Sequence, residues 1–114
     1  MSEPHHYPKA ARIRRRRDFL YLQRVGSRRH TAHLVIIRHP ASGRTSRLGV
    51  TASKRIGNAV VRNRIKRLVR EVFRHCRAGI LPPLDVVVIA KPDAHRLSYA
   101  QVAAELRASL PRTG

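Results

Sequence analysis

This sequence predicts an α/β (α+β) sandwich, a small mixed sheet with three helices packed against it. Three observations lead there. Residues 52–77, ASKRIGNAVVRNRIKRLVREVFRHCR, repeat apolar side chains with the period of an α-helix. Residues 33–39 and 85–90, HLVIIRH and DVVVIA, are β-branched runs of strand length. Residues 98–101, SYAQ, form a capping box that opens a last helix. A length of 114 residues suits one domain with a modest core, and a hydrophobic content of 42% is too high for a disordered basic tail.

Taken in order, residues 1–11 hold two prolines and no periodicity, and read as a flexible arm ahead of a single domain over 12–114. Arg14 to Arg17 run into Asp18, Phe19, Leu20, Tyr21, Leu22 and Gln23. Phe19 and Leu22 share a face, as do Leu22 and Val25, so a short helix closed by Gly26 is expected. Residues 27–30 are a candidate short strand. The run 33–39 is a strand stopped by Pro40, and 47–52 is a second one across the loop ASGRTS. Their closeness and the glycine between them favour an antiparallel pair. The long helix starts after Gly57 with Asn58 as N-cap, and stops near Arg77, ahead of Gly79 and Pro82-Pro83. Its apolar face is Val61, Ile65, Leu68, Val69, Val72 and Cys76, with Phe73 near the boundary. Residues 85–90 read as a central strand buried on both faces. The last helix turns Val102, Leu106 and Leu110 to the core.

The other side of the long helix is almost solidly cationic, with Arg62, Asn63, Lys66, Arg67, Arg70, Arg74 and Arg77 and one acid, Glu71. The whole chain sets 25 Lys and Arg against 6 Asp and Glu, a formal charge of +19. A compact fold with that self-repulsion implies a polyanionic partner, and nucleic acid leads because its phosphates release counterions on binding. Only Lys9, Lys54, Lys66 and Lys91 are lysines. Arginine's planar fork suits phosphates and base stacking in structured RNA, although base composition of the genome would produce the same bias. A basic amphipathic helix also suits a membrane surface, but the strands need covering and no membrane partner is expected. Cys76, the single cysteine, excludes an internal disulfide, and no signal-peptide core is present, so a cytoplasmic location is expected.

The strand ending at Ala52 delivers Ser53, Lys54 and Arg55 into a turn, and Gly57-Asn58 then start the helix. Backbone N–H groups at a helix start, beside cations, make an anion site. Arg62, Lys66 and Arg70 follow at intervals of four and line one ridge, roughly 12 Å long at 1.5 Å per residue. Asn63 adds an amide that both donates and accepts.

The stretch 53–70, SKRIGNAVVRNRIKRLVR, resembles the signature of the protein subunit of bacterial ribonuclease P. The likeness extends to the basic residues before Asp18-Phe19, the Gly26 boundary, Arg47-Leu48-Gly49-Val50, Asp85 to Ala90 and Ser98-Tyr99. The resemblance implies the order αβββαβα with a left-handed β-α-β crossover around the signature helix. It implies a catalytic RNA subunit as partner, precursor tRNA as substrate, and metal-assisted removal of the 5′ leader. It makes Lys54, Arg55, Arg62, Asn63, Arg64, Lys66, Arg67 and Arg70 the RNA-facing set, and places the single-stranded leader in a cleft between the first helix and the sheet. Phe19 becomes the cleft aromatic that stacks on a base, or else a core residue. Where other members carry further aromatics, this chain has Gln23 and Ile37, so its cleft would rest more on cations and apolar contact.

Glu3, Asp18, Glu71, Asp85, Asp93 and Glu105 show no paired spacing, and the seven histidines are equally scattered. Neither a protein-held metal nor a catalytic residue is therefore expected. The protein alone binds no cofactor; Mg2+ is expected with the RNA subunit, and no obligate protein partner is evident. The competing reading is a non-enzymatic RNA-binding protein such as a ribosomal protein.

Overall fold

In the computed structural model, which describes residues 11–110, β4 (Leu84–Ala90) is the strand around which everything else is arranged. The elements before it are α1 (Arg16–Val25), β1 (Ser27–His30), β2 (Leu34–Pro40), β3 (Arg47–Ala52) and α2 (Ala59–Cys76); α3 (Tyr99–Ser109) follows. This is the expected order αβββαβα. Of the expected arm, 1–11, only Ala11 belongs to the described residues, and it is buried.

The sheet runs β1-β2-β4-β3. β2 pairs with β4 antiparallel from Leu34↔Ala90 to Pro40↔Leu84, and β3 pairs with β4 in parallel from Arg47↔Asp85 to Ala52↔Ala90. The expected antiparallel pairing of β2 with β3 is therefore incorrect, because β4 lies between them. β4 is apolar on both faces and gains most by sitting in the centre. β3 carries Gly49 and Thr51 on one face and loses less at an edge. Its outer side is partly covered by residues 12–13, where the Ile13 N–H donates to the Leu48 carbonyl at 2.9 Å. The opposite edge, β1, is exposed along its whole length.

Helices cover the two faces unequally. On one face Leu34, Ile36, Leu48, Val50, Val86 and Val88 meet Ile65, Val69, Val72 and Cys76 of α2 and Val102, Leu106 and Leu110 around α3. Phe73, placed near the boundary from the sequence, is fully buried here; its neighbours Val72 and Val69 draw α2 in deeply enough to enclose it. On the other face α1 is the one described helix against the sheet, and with Ile13 it builds a cluster of Ile13, Leu22, Val35, Ile37 and Val87, with Phe19 and Ile89 half-buried at its rim.

Local chemistry fixes the ends. The Asn58 side chain accepts the Val61 N–H at 3.1 Å, and Ser98 and Gln101 exchange both capping-box bonds, at 2.9 and 3.3 Å. Gly26 closes α1 with φ −75°, so backbone freedom does not explain the glycine. A Cβ there would stand 2.4 Å from Ile37 Cγ2; close approach of helix and sheet requires its absence. Asp85, 5% exposed, accepts two bonds from Arg47 at 2.9 and 2.8 Å, locking β3 to β4 at their starts; that carboxylate raises the guanidinium's pKa. Glu105 of α3 accepts from the Thr31 hydroxyl and, at 2.9 Å, from the His33 amide, and its second oxygen lies 2.7 Å from the His33 ring, tying α3 to the β1–β2 connection.

Candidate nucleic-acid interface

The turn between β3 and α2 is built to project cations. The Ile56 N–H donates to the Ser53 carbonyl at 3.1 Å, and the Ser53 hydroxyl accepts the Arg55 N–H at 3.3 Å. Ile56 is buried and pins the turn, so Lys54 and Arg55 stand exposed at its apex. Gly57 follows with φ +152°, a conformation that L side chains rarely adopt, and a Cβ there would press on Val61 at 3.1 Å. α2 then begins with no acidic residue in its first turn, so its positive dipole end is not offset from within the helix.

Along α2, Arg62 and Lys66 are half-buried, while Asn63, Arg67 and Arg70 are exposed. Arg62 buries its Nε with no hydrogen-bond partner. Among the described residues, no carboxylate pairs with Lys54, Arg55, Arg62, Lys66, Arg67 or Arg70. Glu71, the one acid of α2, is already engaged by Arg74 and lies 3.4 Å from His75. The Arg74 bond holds its carboxyl below the ordinary value, against the smaller opposing effect of burial.

Arg64 does not join this ridge. It donates to the carbonyls of His95 and Leu97, at 3.2 and 3.0 Å, and so braces the turn that leads into α3. A period of 3.6 sets it on the α3 side of the helix, and its acceptors come from a segment whose position the sequence does not disclose.

On the other face, Phe19 lies over Gly49 so closely that a Cβ on the glycine would stand 2.6 Å from the ring. The ring separates two depressions. One, of about 380 Å³, lies among Arg14, Arg16, Leu20, Gln23 and Thr51. The other, of about 260 Å³, wraps the β3 edge between Arg12, Arg14 and Arg70. Arg70 thus belongs both to the α2 ridge and to the cleft beside α1. Ile37, named from the sequence as a cleft residue, is fully buried beneath α1 and is a core residue instead. In β2 the alternation sends Val35 and Ile37 under the helix, which leaves neither side chain open to a ligand. Arg12, Arg14, Arg16 and Thr51 join the cleft through the fold; the basic run ahead of Asp18 hinted at the arginines, and nothing in the sequence marked Thr51.

Among the described residues, no group of three His, Cys, Asp or Glu side chains is placed to hold a metal ion, and no helix is long and apolar enough to cross a membrane.

A model of the family Ribonuclease P matches residues 7–114. The ribonuclease P protein component of Desulfatibacillum aliphaticivorans is 44% identical over 100 residues, covering 88% of this chain and 85% of that protein. That of Citrifermentans bemidjiense is 39% identical over 106 residues, covering 93% and 90%. Among solved structures, the RNase P protein of Staphylococcus aureus superposes with a TM-score of 0.79 at 34% identity, covering 88% of this chain and 92% of that one. The RNase P protein of Thermotoga maritima gives 0.79 at 32% identity, covering 90% and 97%.

Proposed function

Because this chain belongs to the ribonuclease P protein family, we propose that it lays its α2 ridge on the catalytic RNA subunit while the cleft beside Phe19 takes the single-stranded leader of precursor tRNA. Family membership decides between the two readings of the sequence in favour of the ribonuclease P subunit. The observation that carries the finer reading is the position of Arg70. It ends a row of cations with no carboxylate partner among the described residues, and it also lines the depression next to Phe19.

In this reading Lys54 and Arg55 meet phosphates at the start of α2, where the helix dipole adds to their charge. Arg62, Lys66, Arg67 and Arg70 neutralise further phosphates along the strand, and Asn63 offers an amide to a base edge or 2′-hydroxyl. Among the described residues Phe19 supplies the one ring in the cleft, with Arg14, Arg16 and Leu20 around it, so the leader is held by charge and apolar contact as much as by stacking. Among the described residues no group of three His, Cys, Asp or Glu side chains is placed to hold a metal. Mg2+ belongs with the RNA phosphates, and the protein contributes affinity, orientation and charge neutralisation in the cytoplasm.

Reconstitution tests this. Added to its cognate RNA, the full chain should lower the magnesium and salt concentrations needed to cleave precursor tRNA. No effect on leader removal at any ionic strength would overturn the reading.

A further inference from the structure

The far end of α2 carries a second basic site, to which the ridge and the cleft contribute nothing. Arg74 stands four residues beyond Arg70, the last cation of the ridge, about 6 Å further along the helix. Together with Arg77 and with Arg44 from the loop between β2 and β3, it surrounds a cavity of about 220 Å³, to which Leu81 and Pro83 add apolar wall. No residue of α1 lines it.

The walls are braced. The Arg77 Nε donates to the Ser46 carbonyl at 3.3 Å, and buried Ser46 in turn accepts the Leu84 N–H at 3.0 Å through its hydroxyl. Arg74 is steadied by Glu71 one turn back. Three arginines therefore line the cavity, while Glu71, which engages Arg74, is not part of the lining. The electrostatics are the reverse of those at the signature turn. The C-terminal end of a helix repels an anion, so an anion here depends on the arginines alone.

The chemistry of the lining narrows the occupant. A purely acidic partner has no use for the apolar wall, where Leu81 is 51% exposed. A nucleotide uses both parts, since guanidinium planes and apolar side chains accept an unstacked base and the fork geometry accepts its phosphate. The volume falls short of the roughly 300–1,000 Å³ usual for whole small-molecule ligands, and suits a single base. We propose that this cavity holds one unstacked nucleotide of the RNA that lies along α2, its base against Leu81 and Pro83 and its phosphate on Arg44, Arg74 and Arg77. The proposal rests on the RNA-binding reading above and adds to it a second anchor, past the end of the ridge.

The test uses the full chain and its cognate catalytic RNA. Arg44 is exposed in a loop and no carboxylate among the described residues pairs with it, so Arg44→Ala should leave the fold intact. It should reduce the slope of log affinity against log salt by about 0.7–0.9, the equivalent of one phosphate left unneutralised. Arg62→Ala/Lys66→Ala is measured alongside. A slope that falls for the ridge variant but not for Arg44→Ala overturns the cavity proposal and spares the RNA-binding reading; no change in either overturns both. A second measurement locates the nucleotide. Because Cys76 is the sole native cysteine and is buried, Arg44→Cys can be labelled selectively with a tethered iron–EDTA probe. Strand cleavage of the RNA centred on an unpaired nucleotide supports the proposal. Cleavage only within continuous duplex, or none while a probe on Arg67→Cys cleaves, overturns it.

Discussion

The two faces of the sheet solve the same problem differently. On the α2 face, apolar and cationic residues are segregated: Ile65, Val69, Val72 and Phe73 are buried, and the cations without carboxylate partners stand on the other side of the same helix. On the α1 face they overlap. Phe19 is half-buried against the small cluster of Leu22, Ile37 and Val87, and it is also the ring that divides the cleft. The α2 layer can therefore carry a heavily charged surface because a large core anchors it. In the α1 layer a single side chain both packs on the core and lines the cleft.

That contrast can be broken most forcefully at Phe73. Phe73→Ala should cost about 3–5 kcal/mol, read from denaturant or thermal unfolding, because it empties the centre of the larger core. Variant protein that still folds at low temperature should bind RNA with an unchanged salt slope, and a flattened slope would show that core and ridge are not separable.

Phe19→Ala should cost about 2 kcal/mol, less because the ring is only half-buried. It should also weaken affinity for leader-bearing precursor more than for mature tRNA. Equal losses for the two RNAs would make Phe19 a packing residue only.

Acid should act on the α2 face. Burial pushes the Glu105 carboxyl up, but bonds from Thr31 and from the ring and amide of His33 outweigh it and hold it below its ordinary 4.5. A lowered folded-state pKa means stabilisation present above that value and lost as pH falls through the folded one. Unfolding followed from about pH 5 downward should thus be steeper for the parent than for Glu105→Gln; identical profiles would remove the carboxylate from the acid response.

The smallest change in stability is expected on the ridge. Arg62→Ala/Lys66→Ala should stay within about 0.5 kcal/mol of the parent. Its salt slope should fall by roughly 0.7–0.9 for each phosphate that the variant no longer neutralises. A large drop in stability would mean that the aliphatic stems of these residues pack as well as bind.

What the sequence disclosed follows the range of the interactions. The Asn58 cap, the Ser98–Gln101 box and the apolar stripe of α2 depend on neighbours within four residues, and all are in place in the fold. Sheet order depends on pairings between distant segments, and there proximity misled, since β4 separates β2 from β3. Arg64 and Ile37 share that cause. The carbonyls that take Arg64 lie about thirty residues on, and an unbroken apolar run such as 34–37 does not say which of its members a helix will cover. The signature turn and most of the ridge were legible because they form one continuous string. Of the cleft the resemblance named Phe19, which lines it; the rest was not legible, because Arg14, Thr51 and Arg70 meet only in the fold.

The edges of the sheet have one more consequence. An open strand edge is a template on which further copies can stack, and a protein without its RNA meets its own kind at either end of the sheet. Here β1 ends the sheet with Arg28, Arg29 and His30 in solvent, and β3 ends it under the strap of residues 12–13. Two copies approaching edge to edge bring like charges together or meet a bond already made. The same arginine-rich composition that suits an RNA partner thus also disfavours edge-to-edge stacking of free subunits.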